Sequence, residues 1–349
     1  MDIKSNMQKG KYGNNVLLLI VLIGFCILAI IEIFCGQVQS RMERERLAIE
    51  EENHQAVQEL KTELGNLRGN PDANTEFVEA LGEEQKGSEE TAVDDKEYAM
   101  QIVVLGDNIM AAGREENKDV PTLIGEACNA RVYNLAVGGT SAALLPGEQY
   151  NFADWDSTGL LGVVNAILGN IGPYVFAGYE TENILEQCDF SKTDYFVIEY
   201  GINDFLSRQI PQSRYLENGE ILGVDESHTY AGAMDIAVRL LTEHFPDAKI
   251  LIVSPHFCQI YESASYMGDA YGMNYGYGTL VDFFRVAGYV ASQHKAEDVF
   301  FFNAMEESGI DVYTADKFLE DGINLSDEGR RMYADQIAEQ IHADFNRPE

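Results

Sequence analysis

Basic residues are scarce in this chain. Over 349 residues, 24 Lys and Arg stand against 58 Asp and Glu, a formal net charge of −34. Phosphate backbones are bound by clustered cations that release counterions, so nucleic acid is excluded as a partner. The same deficit repels anionic lipid headgroups and polyanionic wall polymers, so association with a surface requires a hydrophobic anchor or a specific site. Cysteine is also sparse, at five residues. Cys26 and Cys35 share one apolar run, while Cys128, Cys188 and Cys258 are far apart and no Cys-x-x-Cys spacing occurs. That pattern excludes a cysteine metal site and a disulfide framework, and leaves the last three as small buried hydrophobes. Neither a metal nor a cofactor is implied.

What is present begins with the one long apolar run. Val16 to Cys35 (VLLLIVLIGFCILAIIEIFC) is nearly free of polar residues, and about 20 residues at roughly 1.5 Å each cross a hydrocarbon core of roughly 30 Å. The run is too long for the apolar region of a cleavable signal and has no small-x-small site after it, so an uncleaved single-pass anchor is expected. Lys4, Lys9 and Lys11 before the span are matched by Arg41, Arg44 and Arg46 after it. The expected arrangement is a short cytoplasmic tail (1–15) and a large extracytoplasmic domain.

Beyond the span, 37–68 carries Val57, Leu60, Leu64 and Leu67 at steps of three and four, a helix with one apolar seam. It is either a solvated stalk or a short coiled coil that makes a homodimer at the membrane. Gly69, Asn70 and Pro71 end it, and 69–97 is acidic and unpatterned, a flexible linker. From Tyr98 the texture changes. Apolar runs at 100–105, 131–137, 195–200, 249–254 and 298–303 alternate with amphipathic segments, which predicts five parallel strands covered by helices on both faces. Tyr333, Ile337, Ile341 and Phe345, four apart after Ser326, predict a final helix with Ser326 as its N-cap. With 46% hydrophobic residues, the chain can bury one substantial core here.

Ligands of doubly wound sheets bind at the carboxyl ends of the strands. The first strand ends in Gly106-Asp107-Asn108, the second runs into Val137-Gly138-Gly139-Thr140, and the third ends in Gly201-Ile202-Asn203-Asp204. Asp321-Gly322-Ile323-Asn324 precedes the last helix. In order and context these motifs resemble those of the SGNH or GDSL-type hydrolases: Gly-Asp-Ser, a Gly, Gly-x-Asn-Asp, and Asp-x-x-His. The resemblance covers 98–349 and implies a flavodoxin-like three-layer αβα sandwich with a five-stranded parallel sheet. It also implies oxyanion donors at Gly139 and Asn203 and an orienting acid at Asp321. By the same resemblance the setting is a bacterial cell envelope, where domains of this type on single spans work beside multi-spanning O-acyltransferases that modify glycans.

The departures are at the two reactive positions. Asn108 stands where the family has its nucleophilic Ser, and Asn324 stands where it has its basic His. Acyl transfer needs a hydroxyl within reach of an imidazole that can take its proton, and an amide supplies neither. Loss of either group costs on the order of a millionfold in turnover, and loss of both costs little more. A binding site without turnover is therefore expected, with Asn108 and Asn324 hydrogen-bonded to each other or to a glycan or acylated ligand. The competing expectation is an active ester hydrolase or O-acyltransferase with relocated groups, His256 after the fourth strand and Ser141 after Gly139 being the candidates. A third is a stalked structural protein with a vestigial site. Asp107 and Asp204 are candidate ligand contacts or caps of the following backbone. Tyr266, Tyr271 and Tyr275, within the Gly- and Tyr-rich stretch 261–277, are candidates for stacking on sugar rings. A second insertion, 145–183, is a candidate lid.

Overall fold

The computed structural model describes residues 98–212 and 226–345. The tail, span, stalk and linker expected at 1–97 lie outside the described residues. Among the described residues no helix is long and apolar enough to cross a membrane.

Five strands form one parallel sheet: β1 Met100–Gly106, β2 Ala130–Asn134, β3 Tyr195–Glu199, β4 Lys249–Val253 and, after a separate hairpin of β5 Gln259–Glu262 and β6 Ser265–Asp269, β7 Val299–Phe302. The order is β2-β1-β3-β4-β7, the doubly wound order in which the chain reverses direction between β1 and β3. All five expected strands are present. β2 ends three residues early, but Leu135 and Val137 still donate to the Val104 and Gly106 carbonyls at 2.8 and 3.0 Å, so the chain stays beside β1 as far as the glycine turn.

The β-branched run of β1 is inaccessible on both sides: Ile102, Val103, Val104 and Leu105 have no exposed surface. Both faces of the sheet are therefore covered, as a parallel sheet requires. The helices, in chain order, are α1 Asn108–Ala111, α2 Val120–Cys128, α3 Leu160–Ile167, α4 Glu180–Gln187, α5 Ile202–Leu206, α6 Tyr230–His244, α7 Leu280–Ser292, α8 Ala304–Glu307, α9 Ala315–Phe318 and α10 Asp327–Phe345. α10 packs on α2, while α3, α6 and α7 pack in succession as a second group. Ser326 caps α10 through its hydroxyl, which accepts from Gly329 N–H at 3.0 Å. The seam Tyr333, Ile337 and Ile341 is buried, whereas Phe345 at the last turn is exposed.

Two insertions depart from the expected texture. The tyrosine-rich stretch is in part an ordered hairpin, β5–β6. The 145–183 insertion folds into α3, α4 and short 3-10 turns, with Leu160 N–H donating to the Ser141 carbonyl.

Candidate functional site

The register Gly106↔Glu199 sets the end of β1 beside the end of β3, so the segments after both strands emerge together at the switch point. Asp107 caps the short helix α1, its Oδ1 accepting from Ile109 N–H at 3.1 Å, and this places Asn108 half-exposed above the sheet. Gly139 follows β2 with φ +81, and a Cβ there would meet nothing within 4 Å. The position is glycine for its left-handed backbone, which favours a residue without a Cβ, and not for want of room.

Three sequence-predicted residues meet here. Gly139 N–H donates to Asn108 Oδ1. Asn203 Nδ2 donates to the same oxygen at 3.3 Å and to the Thr140 carbonyl at 2.9 Å. Both donors thus hold a carbonyl oxygen of the protein itself. Thr140, which fixes the Asn203 amide, carried no signal in the sequence.

Asp321 and Asn324 form a second hydrogen-bonded cluster, on the loop before α10. Asp321 Oδ1 accepts from Asn324 N–H at 2.7 Å and Ile323 N–H at 3.0 Å, and Oδ2 accepts from Asn324 Nδ2 at 2.7 Å. Partial burial raises the Asp321 carboxyl, but these three bonds outweigh it and hold the group below its ordinary value. The expected bond between the Asn108 and Asn324 amides is not formed; each amide has a nearer partner. Asn324 Nδ2 takes the place of the N–H that a histidine would give the acid. The amide ends there, with no second nitrogen to take a proton.

Asp107, Asp204 and His256 lie beneath the site rather than facing it; all three are buried. Asp204 clamps the turn after Gly139, accepting from Ala142 and Ala143 N–H at 2.9 Å each. Burial pushes its carboxyl up to about 6. Burial, together with the nearby Asp204, pushes Asp107 up to about 7 against the Ile109 hydrogen bond. Glu199, inaccessible and without a hydrogen-bond partner on either oxygen, is raised well above its ordinary value by burial and then by Asp107 and Asp204. Its only sequence signal is a lone charge in the apolar run YFVIEY.

His256 donates from Nε2 to the Ile323 carbonyl at 2.9 Å, which leaves Nδ1 bare and unpartnered. Burial lowers its pKa to about 4, so the ring is neutral and braces the 321–324 loop. Ser141 is buried. Burial likewise raises the thiols of Cys128, Cys188 and Cys258, to about 11, 12 and 12.

The aromatic rim is divided. Tyr261, Tyr266 and Tyr271 are exposed, and Tyr261 and Tyr266 meet edge to face at 5.7 Å. The hairpin is tied to the acid loop by Gln259 N–H donating to the Gly322 carbonyl at 2.7 Å. A Cβ on Gly322 (φ +88) would come within 2.9 Å of the Tyr261 ring, so that ring lies directly on the 321–324 loop. Tyr275 turns inward instead, 5.0 Å from Phe205 and under the Arg208 guanidinium at 5.8 Å.

The topology is a doubly wound parallel α/β fold, with Asn108, Gly139 and Asn203 following the ends of β1, β2 and β3. No protein-family model matches the sequence, and no curated protein matches it. Among solved structures the chain is similar to a protein from Lactobacillus plantarum, at 15% identity over 72% of this chain and 100% of that one, TM-score 0.47. It is also similar to a possible lipase from Chitinophaga pinensis, at 15% identity over 70% and 98%, TM-score 0.46. A third is a family two carbohydrate esterase from Clostridium thermocellum in complex with cellohexaose, at 16% identity over 72% and 66%, TM-score 0.42.

Proposed function

We propose that the domain binds a glycan or acylated ligand, or scaffolds a complex that modifies one, and does not hydrolyse esters. One observation carries this reading: the oxygen held by the Gly139 and Asn203 donors belongs to Asn108, a residue that cannot attack, while the residue bonded to Asp321 is an amide that cannot act as a base. Oxyanion donors without a nucleophile and base stabilise a bound oxygen but start no reaction. The exposed Tyr261 and Tyr266 beside the acid loop offer ring faces of the kind that stack on sugars.

The apolar run 16–35 supports a single-pass anchor that holds this domain on the extracytoplasmic side of a cell membrane. The stalk seam would suit a homodimer, and the envelope setting a multi-spanning O-acyltransferase partner. The test is release of a chromogenic leaving group from short acyl esters by the full chain. The expected rate equals that of an unrelated protein. Turnover that survives Asn108→Ala but is abolished by His256→Ala or Ser141→Ala would replace this reading with relocated catalysis.

A further inference from the structure

The chain between the second strand and α3 closes on itself. Leu160 N–H, at the start of α3, donates to the Ser141 carbonyl at 3.2 Å, so 142–159 is a surface loop with joined ends, of the kind packed by its own side chains. That packing is aromatic. Trp155 is buried and donates from Nε1 to the Ser157 carbonyl at 2.7 Å. Gly162 on α3 lets the segment close on the helix, because a Cβ there would lie 2.1 Å from the Ser157 oxygen. The Tyr150 ring meets the indole edge to face at 5.3 Å and the Phe152 ring lies 6.2 Å from it. These two rings are 5.7 Å apart, tilted by 55°, and remain 39% and 46% exposed. Tyr150 is held from within as well, its hydroxyl accepting from the buried Asn165 amide at 3.4 Å. Rings fixed in this way lose little freedom when something is laid on them.

Size and charge narrow the occupant. Two partly exposed rings offer on the order of 200 Å², far below the roughly 800 Å² per partner of a stable protein interface. The chain has no Lys or Arg between Arg131 and Lys192, while Glu148, Asp154 and Asp156 lie in the loop itself, so an anionic ligand finds no counter-charge there. Asn151 and Asp154, bonded to each other at 2.9 Å, and Glu148 supply acceptors of the kind that hydroxyl groups use. We propose that Tyr150 and Phe152 form a stacking subsite for one pyranose ring of an uncharged glycan, separate from the tyrosines of the β5–β6 hairpin. This inference rests on the glycan-binding reading above and deepens it, because it names the stacking residues and the charge class of the ligand.

Trp155 is the only tryptophan of the chain and packs on both rings, so intrinsic tryptophan fluorescence reports on this loop and not on the hairpin. The full chain is titrated with neutral tetrasaccharides of glucose, N-acetylglucosamine and mannose, and with tetragalacturonate as the anionic counterpart. Binding is followed in parallel by saturation-transfer NMR on the sugar protons. At least one neutral probe is expected to bind with a saturable change in Trp155 fluorescence, and tetragalacturonate to give none. Tyr150→Ala and Phe152→Ala each weaken that binding about fivefold or more, while Phe152→Tyr keeps it. Far-UV circular dichroism checks that each variant is folded. Binding by NMR that leaves Trp155 fluorescence and both alanine variants unchanged, but is lost in Tyr261→Ala with Tyr266→Ala, would overturn this subsite and leave the glycan-binding reading standing. Absence of binding by all three neutral probes would overturn this inference too. Ester turnover by the wild type sinks the non-hydrolytic reading on its own assay.

Discussion

The Asn108–Gly139–Asn203 cluster and the Asp321–Asn324 pair are assembled over very different spans of chain. Asn108, Gly139 and Asn203 come from three strand ends up to 95 residues apart, and they rest on a buried floor of Asp107, Glu199 and Asp204. Asp321 and Asn324 are three residues apart on the surface and satisfy each other within one loop. A position in the pair can change its chemistry without disturbing the core, while the cluster is tied to the parallel sheet. Asn108 is the exception, a half-exposed residue on the buried floor, and there the substitution kept a group that the floor's donors can hold.

The contrast predicts unequal costs of mutation. Asp204→Ala leaves the Ala142 and Ala143 amides without their acceptor, and two unpaired buried donors cost about 2–4 kcal/mol, measured by chemical denaturation at neutral pH. A loss below about 0.5 kcal/mol would show that the floor does not hold the turn.

The second expected effect has the opposite sign. Glu199 is a buried carboxyl without a partner, and replacing it by an apolar side chain of similar size removes the cost of burying an unsatisfied polar group. Glu199→Met is therefore expected to raise stability at pH 8. Asp107, at about 7 against an ordinary 3.8, and Glu199 both bind protons more tightly folded than unfolded. Their contribution to stability is full below about pH 4 and is lost as pH rises through the folded-state values. Denaturation midpoints between pH 4 and 8 should fall less steeply for Glu199→Met than for wild type; parallel curves would remove Glu199 from the coupled floor.

The smallest effect belongs to the acid loop. Asn324→Ala removes one exposed side-chain hydrogen bond and is expected to cost about 0.5 kcal/mol. Because Asp321 is held below its ordinary value in part by that bond, the lost stability is present at neutral pH and vanishes as pH falls through the carboxylate range. A cost as large as that of Asp204→Ala would erase the distinction between the cluster and the pair.

The sheet was legible because its strands are buried on both faces and so read as unbroken apolar runs, Met100 to Leu105 being the clearest. Asn108, Gly139 and Asn203 were legible as residues that follow strand ends. Their mutual bonding was not, because whether an amide turns toward Gly139 or toward Asn324 depends on contacts between segments remote in sequence. The hairpin β5–β6 was hidden by composition: glycines and tyrosines in 261–277 read as loop, yet Gln259–Glu262 pairs with Ser265–Asp269 and Gln259 N–H reaches the Gly322 carbonyl far along the chain. His256 looked like a rim residue because it follows a strand, and only the fold shows its ring buried against Tyr333 at 5.6 Å.

The central proposal is that the Gly139 and Asn203 donors and the Asp321 carboxylate would serve a nucleophile and a base if residues 108 and 324 supplied them. It is tested most directly by Asn108→Ser combined with Asn324→His. Serine removes the carbonyl from the Gly139 and Asn203 donors and supplies a hydroxyl, while histidine keeps an N–H for Asp321 and adds the missing base. The measurement is burst and steady-state release of a chromogenic leaving group from an activated acetyl ester by wild type, both single variants and the double variant. The account predicts hydrolysis in the double variant well above the sum of the two singles, weak in absolute terms because the pair must lie within about 0.5 Å of productive geometry. A folded double variant as inactive as wild type would contradict it.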